Sequence, residues 1–436
     1  LSNTSSQIST QVGYGFAELG VSAIESFLRL YLLIYLTASI GMSADMAGYA
    51  VSIGIIWDAF ADPIMGKISD KTRSKYGPRL PWILAGTPIL ALTFVFLFDL
   101  QKTGSGDHMW TTFLEVTLLN IVLNTAMTMV SVPHLALGNE IVTDPPLNRT
   151  SIYAWRSAMT LFGFLIGILI PAAVNAFGIS LIAPEFTFAV VIAFVALLSS
   201  AITFFSCKKI TTWQQDDSHG APHKIKDVLR GKVGTLMIAF FIATFAQGLN
   251  SVLAMYYYRF SLKLDEQAIG KVLIVFIFSL CATLPFWVKA ASRFSKHRLI
   301  ATGTLILGIL SAIFYPLFPP QHLAGPYALA VIGGILLGSS GLLESLLVDT
   351  AELQNIKNEA MGLVFGIWKF MAKSARGISI AIGGKLLAMS GYSPNATPTE
   401  TVTSKIALLF GPGVGLFFIM TAMILFLSRE NSKASA

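Results

Sequence analysis

Two carboxylates, Asp58 and Asp62, stand four residues apart in the apolar stretch Trp57-Asp58-Ala59-Phe60-Ala61-Asp62-Pro63-Ile64-Met65-Gly66. On a helix this spacing puts both on one face, one turn apart. Ionisable groups within a membrane span cost roughly 2.5–3.5 kcal/mol each, so they face a cavity and mark an ion path. Two carboxylates this close repel unless a cation or a proton sits between them. Two chemistries are open to them: chelation of Na⁺ with the help of a hydroxyl, for which Thr128 is the candidate, or the sharing of one proton. Structural pairing with other charges is the weaker alternative here. A basic side chain such as Lys373 would neutralise the empty acidic site and be released when the cation binds.

Further charges lie in apolar surroundings. Glu18, Ser22, Glu25 and Arg29 follow at offsets of four, three and four, on one helical face. Arg156 and Glu344 stand alone in their runs, while Lys369, Lys373 and Arg376 again share a face. Each of these invites two readings, substrate contact or helix-to-helix pairing. His134, just after Pro133, reads as a packed histidine in preference to a proton relay. Tyr256, Tyr257, Tyr258 and Arg259 read as an interfacial aromatic belt. Asn120, Asn124, Gln247 and Asn250 suit either the lining of a path or hydrogen bonding between helices.

The elements that must position these residues follow from composition. Of 436 residues 54% are hydrophobic and 12% charged, a balance that a polytopic membrane protein needs and a soluble domain does not. Windows of roughly 20 residues give twelve candidate spans, near 12–36, 46–68, 81–100, 111–137, 151–176, 186–206, 233–261, 268–291, 299–318, 327–348, 362–389 and 406–427. Lys and Arg collect in alternate loops, above all Asp70 to Arg79 and Cys207 to Lys232, which are therefore cytoplasmic together with both termini. The polar stretch 207–232 divides the chain into six-span halves, 1–206 and 233–436. The halves echo one another weakly: Pro63, Gly66-Lys67 and Arg73-Ser74-Lys75 in the first match Pro285, Lys289 and Arg293-Phe294-Ser295-Lys296 in the second. The net charge of +7 resides in these loops, so orientation in the bilayer explains it and no nucleic-acid partner is expected. Cys207 and Cys281, the only cysteines, exclude a disulfide framework and a thiolate metal site. The first apolar run is of spanning length and lacks a small-residue cleavage site, so no cleavable leader is expected. With no phosphate-binding glycine loop, no His/Cys cluster and no Ser/His/Asp set, nothing argues for an enzyme.

The span-two residues also carry a resemblance. Trp57-Asp58-Ala59-x-x-Asp62-Pro63-x-x-Gly66, followed by Asp70-x-Thr72-Arg73-Ser74-x-x-Gly77-x-x-x-Pro81-Trp82, closely resembles the signature of the glycoside–pentoside–hexuronide:cation symporters. Val132-Pro133-x-x-Ala136-Leu137 and the series Asp349, Glu352, Gly362 and Lys373 extend it over most of the chain. The resemblance implies that Asp58 and Asp62 are cation-site carboxylates and that Thr128 is their hydroxyl partner. It implies that Arg156 is a substrate-site arginine, that Lys373 is the span-eleven lysine, and that Asp70, Arg73, Lys75 and Arg79 form a gating motif. Departures bear on the substrate. Ser22, Ser131 and Leu135 replace the two Asp and the Trp of melibiose-type members, and Ala61 replaces an Asn often present in sodium-using ones.

The expectation is an all-α membrane protein of the major facilitator fold, with twelve helices in two pseudo-symmetric halves. It would be a symporter coupled to Na⁺ or H⁺ and moving a sugar or glycoside, anionic ones included, without other cofactor. A sodium-coupled lysolipid or amphiphile carrier of the same fold is the alternative. Substrate contacts are expected at Glu18, Ser22, Glu25, Arg29, Ser131, Arg156, Glu344 and Lys373. The expected setting is a bacterial inner membrane, and the expected state a monomer.

Overall fold

A computed structural model describes residues 2–100, 107–141, 149–178, 183–208, 231–353, 361–394 and 396–433. Among them every regular element is helical. The first half carries α1 (Ser2–Phe27), α2 (Ala44–Lys71), α3 (Leu80–Leu97), α4 (Asp107–Ile141), α5 (Arg149–Phe177) and α6 (Pro184–Cys207). The second carries α7 (Gly231–Tyr256), α8 (Glu266–Ala291), α9 (Lys296–Phe314), α10 (Ala324–Leu337), α11 (Leu343–Leu353), α12 (Met361–Met389), α13 (Glu400–Leu408) and α14 (Val414–Lys433). Two π-turns extend α1, one extends α7 and one joins α13 to α14, and a 3₁₀ turn joins α10 to α11. Each of those two joined pairs fills the place of one sequence-predicted span.

Two compact units result: residues 1–42 with 49–217, and 43–48 with 218–436. The first turns of α2 thus group with the second unit. Residues 209–230, the core of the expected linker, lie outside the described residues.

Among the described residues, eight helical runs are long and apolar enough to cross a membrane by length and composition alone. Spans one, two, five and eleven of the sequence reading are missing from that set, although α1, α2, α5 and α12 are long helices. These four carry Glu18, Glu25 and Arg29; Asp58 and Asp62; Arg156; and Lys369, Lys373 and Arg376. In α1, α2 and α12 these charges lower the apolar content, whereas α5 carries a shorter apolar run, Trp155–Pro171.

In the first unit α1 packs on α5 and α6, and α3 on α4 and α6. The approach of α1 to α5 is close: a Cβ at Gly163 would lie 2.2 Å from the Leu19 carbonyl oxygen. In the second unit α7 packs on α12 and α14, α9 on α14, and α8 on α10. There Tyr256, Tyr257 and Tyr258 are buried, which corrects the reading of an interfacial belt. Tyr257 stacks on Phe410 at 4.6 Å and its hydroxyl donates to the Tyr315 carbonyl at 2.7 Å. Consecutive aromatics at a helix end serve an internal cluster as readily as a lipid interface, and sequence alone does not separate the two. Asn120 and Asn124 turn inward on their own helix, donating to the Val116 and Asn120 carbonyls at 3.1 and 2.8 Å.

Candidate functional site

The cation candidate is built where α2 meets α4. Gly54 is the reason the two approach: a Cβ there would stand 2.7 Å from the Asn120 Cβ. One turn beyond Gly54 comes Asp58, and two turns beyond Asn120 comes Thr128, so the glycine contact delivers both side chains to one place. Trp57 Nε1, donating to Thr125 Oγ1 at 3.0 Å, holds the same register. Asp58 is 8% exposed and Thr128 1%. The Thr128 hydroxyl lies in hydrogen-bonding contact with Asp58 Oδ1 and 3.1 Å from Asp62 Oδ1. Three oxygens from two helices therefore converge. A hydroxyl carries one hydrogen and donates to one acceptor at a time, so the second carboxylate meets its lone pairs. A hard cation or a shared proton answers that arrangement.

A second cluster forms between α1, α4 and α5. Arg156 Nε donates to Glu18 Oε2 at 2.8 Å, and His134 Nδ1 lies 3.3 Å from the same oxygen. His134 Nε2 stands 2.7 Å from the Tyr14 carbonyl oxygen. The Tyr14 ring stacks on the imidazole with centroids 4.5 Å apart. Sequence reading had Glu18 and Arg156 as site candidates and set His134 aside. No spacing along α4 points to it: six residues separate Thr128 from His134 and turn the histidine about 120° from the threonine, so packing against α1 brings it to Glu18.

The remaining candidates divide. Glu25 pairs with Arg29 along one helix turn at 2.9 Å, and the Arg29 guanidinium lies 5.7 Å from the centre of the Phe164 ring. Ser22 is buried, and Ser131 and Lys373 are half-buried. Lys369, Lys373 and Arg376 follow one face of α12 in the second unit. The Glu344 side chain lies outside the described residues. In the α2–α3 loop Arg79 pairs with Asp70 at 2.5 Å and donates to Ser69 Oγ at 2.7 Å. Trp82 Nε1 donates to Thr72 Oγ1 at 2.7 Å, while Lys75 lies over the Tyr76 ring at 4.9 Å and Arg73 is exposed. In the second unit Lys296, from the echo of this motif, pairs with Asp349 at 2.6 Å and touches Ser345, a partnership the sequence did not reveal. Among the described residues no three His, Cys, Asp or Glu side chains gather as a metal cluster, so the cation candidate depends on the threonine.

Comparison with known proteins places this geometry. The inner membrane symporter YicJ of Escherichia coli is 25% identical over 98% of this chain and 91% of its own length. A glucuronide carrier protein homolog of E. coli is 23% identical over 91% of this chain and 87% of its length. The sodium-dependent lysophosphatidylcholine symporter 1-B of Danio rerio is 23% identical over 93% and 83%. The fold matches the crystal structure of a bacterial homolog of the human lysosomal transporter Spinster with a TM-score of 0.70, at 12% identity and over 98% of this chain and 96% of that one. The profile of the family described as MFS/sugar transport protein matches residues 13–429. This chain is a membrane transporter of the major facilitator fold and belongs to the MFS/sugar transport protein family.

Proposed function

We propose that this protein is a cation-coupled symporter for a sugar or glycoside, anionic ones such as uronides included, working by alternating access. The observation that carries this is the meeting of Asp58, Asp62 and Thr128. Two carboxylates that touch one hydroxyl lie within about 6 Å of each other and repel by roughly 3 kcal/mol at an effective dielectric near 20, so a cation or proton there changes the free energy of that place by a comparable amount. Coupling requires that each ligand raise the affinity of the other, reciprocally. Na⁺ and H⁺ both fit: the trio offers three oxygens to a sodium ion, and Ala61 adds none.

In the first unit substrate meets Arg156, with Glu18, Ser22, Glu25, Arg29 and Ser131 as further contacts; in the second unit Lys373 and Glu344 are the substrate-contact residues. Asp70, Arg73, Lys75 and Arg79 gate the cytoplasmic end. The protein acts as a monomer in a bacterial inner membrane, with both termini in the cytoplasm. A second reading, transport of a lysophospholipid, is supported by the zebrafish relative's name and by Ser22, Ser131 and Leu135, which lack the polar grip on a sugar found in melibiose-type members.

The test is uptake by proteoliposomes of a neutral glycoside, a glucuronide and a lysophospholipid, under an imposed Na⁺ or H⁺ gradient in turn. Glycoside or glucuronide uptake driven by one gradient is expected. Movement of lysolipid alone would replace this reading by the second, and indifference of every solute to both gradients would end both.

A further inference from the structure

The Tyr14 carbonyl fixes the histidine chemistry. A carbonyl oxygen only accepts, so His134 Nε2, at 2.7 Å from it, carries a hydrogen. In the neutral ring Nδ1 is then a bare lone pair, and it would point at Glu18 Oε2, 3.3 Å away. Two acceptors facing each other in a buried place repel. One additional proton removes the conflict, whether it rests on Nδ1 as imidazolium beside carboxylate or on Glu18 as acid beside imidazole. The ring has no freedom to turn away. Its residue is 1% exposed and Tyr14 stacks on one side of it. The Tyr14 ring is itself seated over Gly138, where a Cβ would lie 2.4 Å from the tyrosine hydroxyl.

We infer that Glu18 and His134 together form a proton-binding site, separate from the Asp58–Asp62–Thr128 cluster, and that its proton binds in concert with an anion at Arg156. With the proton the three side chains sum to one positive charge, and without it to zero. An anion that draws on Arg156 also weakens that residue's hold on Glu18 and leaves the carboxylate in greater need of the proton. Each ligand therefore favours the other.

Among the described side chains of the neighbouring first-unit helices, other ionisable groups stand farther from Glu18 and His134. Among the described side chains α3 has no ionisable group within its helix, α5 faces the pair with Arg156, and α6 has only Glu185 and Cys207 near its two ends. Glu185 accepts a hydrogen bond from Ser39 at 2.7 Å, at the far end of the α1 run. On α1 itself the next charges are Glu25 and Arg29, paired with each other two turns away, and on α4 the described Glu115 lies more than five turns before His134. On α2, Asp58 and Asp62 meet Thr128, six residues before His134.

The anion half of this inference rests on the proposed contact of substrate with Arg156; the proton half does not. The experiment therefore has two arms on the full chain in detergent, with no gradient. First, ¹⁵N resonances of its six histidines are recorded from pH 5 to 9, with His134 assigned by His134→Gln or, should that fail to fold, His134→Asn. A proton-bearing or proton-sharing Nδ1 is expected in the wild type and a bare imine in Glu18→Gln. A bare imine in both, throughout the range, overturns the site. Second, proton uptake is followed with an indicator in weak buffer as p-nitrophenyl glucuronide is added between pH 6 and 9. A fractional uptake approaching one proton per anion bound is expected, absent for p-nitrophenyl glucoside and in Glu18→Gln. Glucuronide binding without proton uptake at any pH in that range overturns the coupling. Failure of both sugars to bind, with the Nδ1 proton present, supports the site and removes the substrate reading instead.

Discussion

The two ionisable clusters of the first unit share α4 and differ in the side chains they bring together. At Asp58–Asp62–Thr128 two acids meet a hydroxyl, and at Glu18–His134–Arg156 one acid meets two bases. The first gathers two acids on one hydroxyl, and in the proposed function a cation from outside completes it. The second carries its own neutralisation, and what it gains or loses is a proton. Burial is similar, since Asp58 and His134 are both under 9% exposed, so composition and not solvent access makes the difference.

Breaking the first cluster gives the largest effect. Asp58→Asn or Asp62→Asn removes one of two carboxylates, and gradient-driven uptake in proteoliposomes should fall by about 100-fold or more, while the protein still inserts and purifies as a folded species. Retained cation-driven uptake in both variants would mean that the coupling ion is held elsewhere. In the second cluster, Arg156→Ala leaves Glu18 with half its compensation in a place where that side chain is 13% exposed. Loss of about 3 kcal/mol in stability is expected, read as a lowered thermal midpoint in detergent. An unchanged midpoint would show that the imidazole alone satisfies the acid.

Sharper distinctions come from smaller changes. Thr128→Val keeps the shape and deletes the hydroxyl, so cation affinity should fall about tenfold, with Thr128→Ser close to wild type in cation titrations. Equal affinity in all three would exclude the threonine as a ligand. Gly138→Ala pushes a methyl group into Tyr14 and should cost about 1–2 kcal/mol, with the His134 ¹⁵N signal broadened and cation titration unaltered. A change in cation affinity instead would mean that the two clusters are one. Asp70→Asn, at the exposed end of the pair with Arg79 (the Asp70 side chain is 61% exposed), should cost less than about 1 kcal/mol, and a greater loss in urea unfolding would give that loop a structural weight its exposure does not suggest.

Much of this was readable in the chain. Asp58 and Asp62 announce themselves because both lie on one helix turn, within a local pattern of apolar residues. Their partner Thr128 sits 66 residues beyond Asp62; it is the candidate hydroxyl of the residue reading, and the family resemblance implies it again. Glu18 looked equivalent to Ser22, Glu25 and Arg29, since all four occupy one face. Packing separated them: Gly163 against Leu19 draws α5 onto α1 and gives Glu18 its arginine, whereas Glu25 and Arg29 pair within their own turn. His134 escaped because its role depends on a backbone carbonyl 120 residues away, and a carbonyl leaves no trace in residue types. The twelve-span outline was legible from hydropathy, and spans one, two and eleven weaken that signal because of the charges they carry.

Those charged spans also impose an order on biogenesis. Glu18 leaves the ribosome 138 residues before Arg156, which at about 5–20 residues per second is an interval of roughly seven to thirty seconds. During that interval α1 must hold a carboxylate at the edge of the translocon without its guanidinium. Until α5 arrives, α1 therefore carries an uncompensated carboxylate cost of roughly 2.5–3.5 kcal/mol in lipid.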